Sequence, residues 1–133
     1  MNSLNSGKPN FVFESGDENI LQVKHFIVDF LLQTKYQWSN KGTYGHPGGV
    51  LHAGLHGVGT YLCVALVVRP DIALGLALID WVVHYHIDWA KMRLNSRLGL
   101  TPQDSRFWVL LGLDQLLHQL TYIAIIVMLL LYR

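Results

Sequence analysis

The chain has 133 residues, 51% of them apolar and only 14% charged, with a formal net charge of +1 and a mean hydropathy of +0.29. A soluble domain carries roughly 25% charged residues, so this composition points to a bilayer, and the lack of a basic stripe with interleaved aromatics excludes a nucleic-acid partner. The single cysteine, Cys63, excludes an internal disulfide, and no basic stretch followed by an apolar core opens the chain, so no cleavable signal peptide is expected.

Residues 1–19 are polar and read as an extramembrane tail; residues 20–133 read as one domain. A first helix is expected over about 18–38. Its apolar run is broken by Lys24, His25, Asp29 and Gln33, and the last three recur at i, i+4, i+8. That stripe is narrow and poor in Lys and Arg, which favours a span facing a bundle over a helix lying on the surface. Residues 35–49 read as a loop, broken by Gly42, Gly45, Pro47, Gly48 and Gly49. A second helix, about 50–68, carries no Asp, Glu, Lys or Arg, and its glycines permit close approach of a neighbour. A third, about 71–95, follows Pro70 with Asp71 in its first turn. A fourth, about 102–132, has Thr101 as a candidate N-cap and Pro102 at its first position. Between Arg106 and Arg133 its only formally charged residue is Asp114.

The expected fold is therefore all-α, a polytopic membrane four-helix bundle. The loop after the first helix has Lys35 and Lys41; the loop after the third helix has Lys91, Arg93, Arg97 and Arg106. The positive-inside rule puts these loops in the cytoplasm and both termini outside, in a bacterial inner membrane.

Each helix carries an acid or imidazole pair at i, i+4: His25 with Asp29, His52 with His56, His84 with Asp88, Asp114 with His118. Asp80 extends the third pair backwards by one turn. Such spacing stacks both groups on one face. At about 1.5 Å rise per residue most of them fall at one depth, in the cytoplasmic half. Charged groups there cost several kcal/mol unless paired or ligated. A shared divalent metal is the favoured solution, with His25, Asp29, His56, His84, Asp88, Asp114 and His118 as ligands; a metal-free Asp–His network is the alternative. His and Asp without thiolate suit Zn, with Mn or Fe as alternatives. His52, Asp80, Gln33, Gln115 and Lys91 are read as supporting or entrance residues. His86 points about 200° away from His84 and is placed outside the site.

The stretches HFIVDFLLQT (25–34), HYHIDWAK (84–91) and DQLLH (114–118), with Lys41 and the histidine of the second helix, resemble domain-of-unknown-function family 3307. That resemblance implies a small polytopic membrane protein of bacteria or their phages and supplies no activity. A looser similarity is to small membrane proteins labelled metal-dependent hydrolases. Three functions are then expected to compete: an intramembrane metal-dependent hydrolase; a metal-stapled scaffold binding a membrane protein partner or a second copy of itself; and metal-ion or proton transport. The bare outer halves of the second and fourth helices speak against a monomeric pore and leave an oligomeric one open.

Overall fold

The computed structural model describes residues 15–132, so most of the polar tail lies outside the described residues. Within them the chain is all helical and no strand occurs. Helix α1 spans Ser15–Phe26 and runs into a π-helical turn, Ile27–Leu31; α2 spans Lys35–Asn40, α3 Pro47–Val64, α4 Pro70–Leu98 and α5 Ser105–Tyr132. Helix α1 packs between α3 and α5, α3 packs on α4, and α4 on α5, so the four longer helices neighbour one another in a closed order.

The helix ends follow local chemistry, and several differ from the sequence expectation. The first helix does not continue to residue 38. Leu32 N–H donates to Ile27 O at 3.0 Å, a wide turn that leaves the α path, and the chain restarts at Thr34. Thr34 and Gln37 form a reciprocal capping box that starts α2 inside the segment expected to be loop. His46 caps α3 by accepting from Gly48 N–H, with Pro47 at the first position. Helix α4 ends at Gly99, whose φ of +58° lets the backbone turn left-handed and return bonds to Asn95 and Ser96. Helix α5 begins at Ser105 rather than near Pro102, because residues 101–104 form a turn closed by Asp104 N–H on Thr101 O.

Close approach between α3 and its neighbours depends on its small residues. A Cβ at Gly57 would meet Ala77 O at 3.1 Å, and one at Gly48 would meet Tyr36 O at 2.8 Å. At Gly49 the nearest atom would be Lys41 Cα at 3.1 Å. These two glycines let the α2–α3 connection lie flat on α3, which carries Lys41 into the bundle.

The distribution of polarity is inverted relative to a soluble protein. The buried stripe of each long helix is polar along much of its length: His52, His56 and Thr60 on α3, Asp80, His84 and Asp88 on α4, Asp114 and His118 on α5. The outward faces are apolar, with Leu66 87% exposed and Val109 and Leu131 each 71%. Among the described residues the apolar core lies at one end of the bundle, where Leu21, Val64, Ala73, Leu76, Ile125, Ile126 and Leu129 meet around Tyr122. Among the described residues one helix, α5, is long and apolar enough to cross a membrane; α3 is diluted by five glycines and two histidines, and α4 carries six Asp, Lys and Arg residues.

Candidate metal centre

The buried stripes face one another, and their polar stretches fall at the same level because α3, α4 and α5 alternate in direction. The polar stretches in the early half of α3, the middle of α4 and the early half of α5 therefore coincide. Asp29 joins from the π-helical turn. That turn holds it inward beside His25, with His25 Nε2 3.1 Å from Asp29 Oδ2. Single π turns inside α-helices recur at functional sites, where they re-aim a side chain.

Asp29 and Asp88 are the two carboxylates around which the imidazoles gather. His52 Nε2 and His56 Nε2 each lie 3.0 Å from Asp29 Oδ1. His52 Nε2 is also 3.3 Å from Asp88 Oδ2, so this ring stands between the two acids. His84 Nε2 and His118 Nε2 approach Asp88 at 3.5 Å, and His118 Nε2 lies 3.5 Å from Asp114 Oδ1. The His84 ring is sandwiched between His56 and His118, with centroid separations of 3.6 and 4.0 Å.

Three groups of donor atoms lie within 4.8 Å of one another: Asp29, His52, His56 and His84; Asp88, Asp114 and His118; and His25, His84 and His118. The first two share no residue. All seven side chains predicted as ligands thus enter the cluster. His52, placed by the sequence among supporting or entrance residues, stands inside it and is fully buried.

Four of the buried polar atoms without a hydrogen-bond partner lie here: both nitrogens of His84, Nε2 of His118 and Oδ1 of Asp114. Leaving a buried polar atom unpaired costs about 1–3 kcal/mol, and nearly all such atoms in folded proteins have partners. His118 Nε2 and Asp114 Oδ1 face each other at 3.5 Å, beyond good hydrogen-bond range, and the four atoms are mixed nitrogen and oxygen donors with lone pairs to offer. That donor set fits a divalent ion of the Zn, Mn or Fe type. His25 differs. Its Nδ1 lies 2.8 Å from Tyr122 Oη, and its Nε2 is 3.3 Å from Gln115 Oε1 as well as near Asp29. Both of its nitrogens have protein partners, so it braces Asp29 and the Asp114 side, where Gln115 also donates to Asp114 Oδ2 at 3.2 Å.

Two buried lysines flank the cluster. Lys24 Nζ donates to Asp80 Oδ2 at 2.9 Å and to Tyr122 Oη at 3.1 Å, and lies 3.5 Å from His56 Nδ1. Thr60 donates to the same Asp80 oxygen. Asp80 therefore answers a cation on α1 and stands beside the cluster. Lys41 Nζ donates to Asp88 Oδ2 at 3.1 Å. Gln33 reaches His52, 3.0 Å from its Nε2. Lys91 is half-buried in a cavity between α4 and α5 that Asp114 also lines, and makes no ion pair among the described residues. His86 is exposed and bonded to Val82 O and Tyr44, outside the cluster.

Sequence reasoning passed over Lys24, Thr60 and Tyr122. Tyr122 continues the Asp114–His118 stripe by another four residues, the same signal that marked Asp80–His84–Asp88. Lys24 has no acid at i±4 on its own helix, so its partner had to lie on another.

Residues 19–132 match the family described as Protein of unknown function (DUF3307). No curated protein and no solved structure matches the chain.

Proposed function

The chain belongs to the DUF3307 family, whose description assigns no activity, and on that premise we propose that it is a multi-pass membrane protein holding divalent metal, zinc first, inside a four-helix bundle. The observation that carries this reading is the grouping of ligand atoms from Asp29, His52, His56 and His84, and from Asp88, Asp114 and His118, each within 4.8 Å of one another, where His84, His118 and Asp114 also hold buried atoms without a hydrogen-bond partner. A lone His–Asp contact is ordinary; polar atoms without partners on three buried ligand residues are not. The apolar outward faces support a lipid surround, since a water-facing protein seldom exposes so continuous a set of Leu, Ile and Val. In the orientation drawn from loop charges, α2 and the α4–α5 turn face the cytoplasm, and the termini lie outside.

The finer reading is a metal-dependent hydrolase. A divalent ion held there would supply Lewis-acid activation of water at neutral pH. The chain's own residues would do the rest: Lys41 holds Asp88, His25 and Gln115 fix Asp29 and Asp114, and Lys24 orients His56 through Nδ1. Asp29, its side chain 11% exposed, is the least buried of the clustered carboxylates. The second reading is a metal-stapled scaffold, favoured by the near-complete burial of His52, His56, His84 and His118. Transport is the least favoured, because the apolar end around Ile125 and Leu129 offers an ion no polar path.

The test is metal counting on detergent-purified protein, wild type beside Asp29→Asn and His118→Ala. Stoichiometric metal is expected in wild type, with at least one ion per chain lost in each variant. Metal-free wild-type protein that is folded would remove the proposal. Metal loss together with folding in both variants would favour the scaffold over the hydrolase.

A further inference from the structure

The cavity between α4 and α5 holds two opposite charges that do not meet. It measures about 450 Å³, and its walls are apolar, with Val83 and Ile87 from α4 and Leu113 and Leu117 from α5. Lys91 and Asp114 line it as well, yet among the described residues they form no ion pair with each other. Asp88, three residues before Lys91 on α4, is taken by Lys41 and His52. A half-buried ammonium thus stands on an apolar wall without a counter-ion from its own chain, an arrangement that is costly within a bilayer unless an outside anion answers it.

Position and shape select the anion. From Lys91 onward α4 turns polar, with Arg93, Asn95, Ser96 and Arg97, and α5 opens with Arg106 and an exposed Trp108. Basic and aromatic side chains of this kind mark the headgroup level of a bilayer. Lys91 therefore lies at the headgroups of the cytoplasmic leaflet, and the slot runs from it toward the bilayer centre as far as Val82 and Leu117. Leu113 and Leu117 are exposed, so the slot opens sideways onto the surroundings. Over the roughly 18 Å from Val82 to Leu94 an α-helix about 10 Å across needs roughly three times the volume present, whereas a single acyl chain is thin enough to lie in it.

We propose that this slot seats one acyl chain of an anionic phospholipid, with the lipid phosphate on Lys91. The seat rests on the bilayer part of the reading above and is independent of the metal. Asp114 joins the two: it lines the slot and belongs to the donor set with Asp88 and His118. A lipid seated there lies against the cluster, which names phospholipid as the substrate class of that site.

The experiment places the protein in nanodiscs containing phosphatidylglycerol or phosphatidylcholine with a photoactivatable diazirine on one acyl chain, and maps the labelled peptides. In wild type the slot walls are expected to take phosphatidylglycerol label about fivefold over phosphatidylcholine label, the effect of one lysine beside an anionic headgroup. Lys91→Met is expected to abolish that preference and Lys91→Arg to keep it. Leu113→Trp, at an exposed position, is expected to fill the slot and remove label from both lipids. The groove between α3 and α4, about 660 Å³ with no charged side chain in its lining, is the internal control and is expected to label equally with both lipids. Equal labelling of the slot in wild type, or a preference unmoved by Lys91→Met, overturns the proposal. Lys91-dependent labelling by diazirine palmitate but not by phosphatidylglycerol overturns it in favour of a free carboxylate. A disulfide dimer through Leu117→Cys in a Cys63→Ser chain overturns it in favour of a second copy. Metal is counted in the same samples. Preferential label without metal supports the lipid seat and retires the metal reading; metal with equal label does the reverse.

Discussion

Stripping the metal with a chelator at pH 8 is expected to unfold the protein in detergent, or to lower its unfolding temperature by tens of degrees. The size follows from what the metal replaces. Structural zinc contributes about 10–16 kcal/mol of apparent binding free energy to folding, comparable to the whole stability of a small domain. Without it, Asp114 stays buried and Asp29 half-buried against neutral imidazoles, and an uncompensated buried carboxylate costs several kcal/mol. Protonated histidines are the remaining source of positive charge beside Lys24 and Lys41, so the loss should be larger at pH 8 than at pH 6. Circular dichroism melts with and without chelator, at both pH values and with zinc added back, measure it. Unchanged melts at pH 8, with the metal shown to be gone, would mean the cluster is satisfied without an ion.

The second large effect is at Lys24. Replacing it with Met leaves Asp80, 1% exposed, with Thr60 as its one remaining partner among the described residues, and removes a donor to Tyr122. Breaking one side of a buried ion pair costs about 3–5 kcal/mol, whereas replacing both sides with apolar groups is often neutral. Lys24→Met is therefore expected to destabilise by that amount, and Lys24→Met with Asp80→Leu to recover most of it. The stem of Lys24 crosses Gly59, where a Cβ would sit 2.7 Å from its Cγ and Cδ. Gly59 is thus fixed by the same lysine. A denaturant or SDS unfolding cycle over the two single variants and the double variant reads the coupling. A single-variant cost below about 1 kcal/mol, the range of exposed pairs, would show that Lys24 is solvated rather than buried.

The convergence of the polar stripes was legible in the sequence because i, i+4 spacing survives whatever the neighbours do. His84 and Asp88 share a face of α4 whether or not α3 is present. The break after Leu31 was not legible. A π turn arises when packing favours aiming Asp29 at His52 and His56 over keeping the regular hydrogen-bond ladder, and no local residue signals it. Helix α2 was hidden for the opposite reason: its capping box lies at Thr34 and Gln37, inside a stretch whose later glycines dominate the reading. His52 read as an entrance residue because depth was counted from a helix start placed near residue 50. With α3 beginning at Pro47, it moves inward by nearly a turn. Lys41 could not be placed from spacing at all, since a loop residue has no periodic face; its position depends on the contact of Gly49 with the Lys41 backbone.

X-ray absorption at the edge of the metal bound to detergent-purified protein tests the central claim most directly. A coordination shell of nitrogen and oxygen only, with the outer-shell scattering of several imidazoles per ion, is the result expected from a cluster of histidines and aspartates. A shell of water oxygens without imidazole, or a sulfur ligand from Cys63, would contradict it.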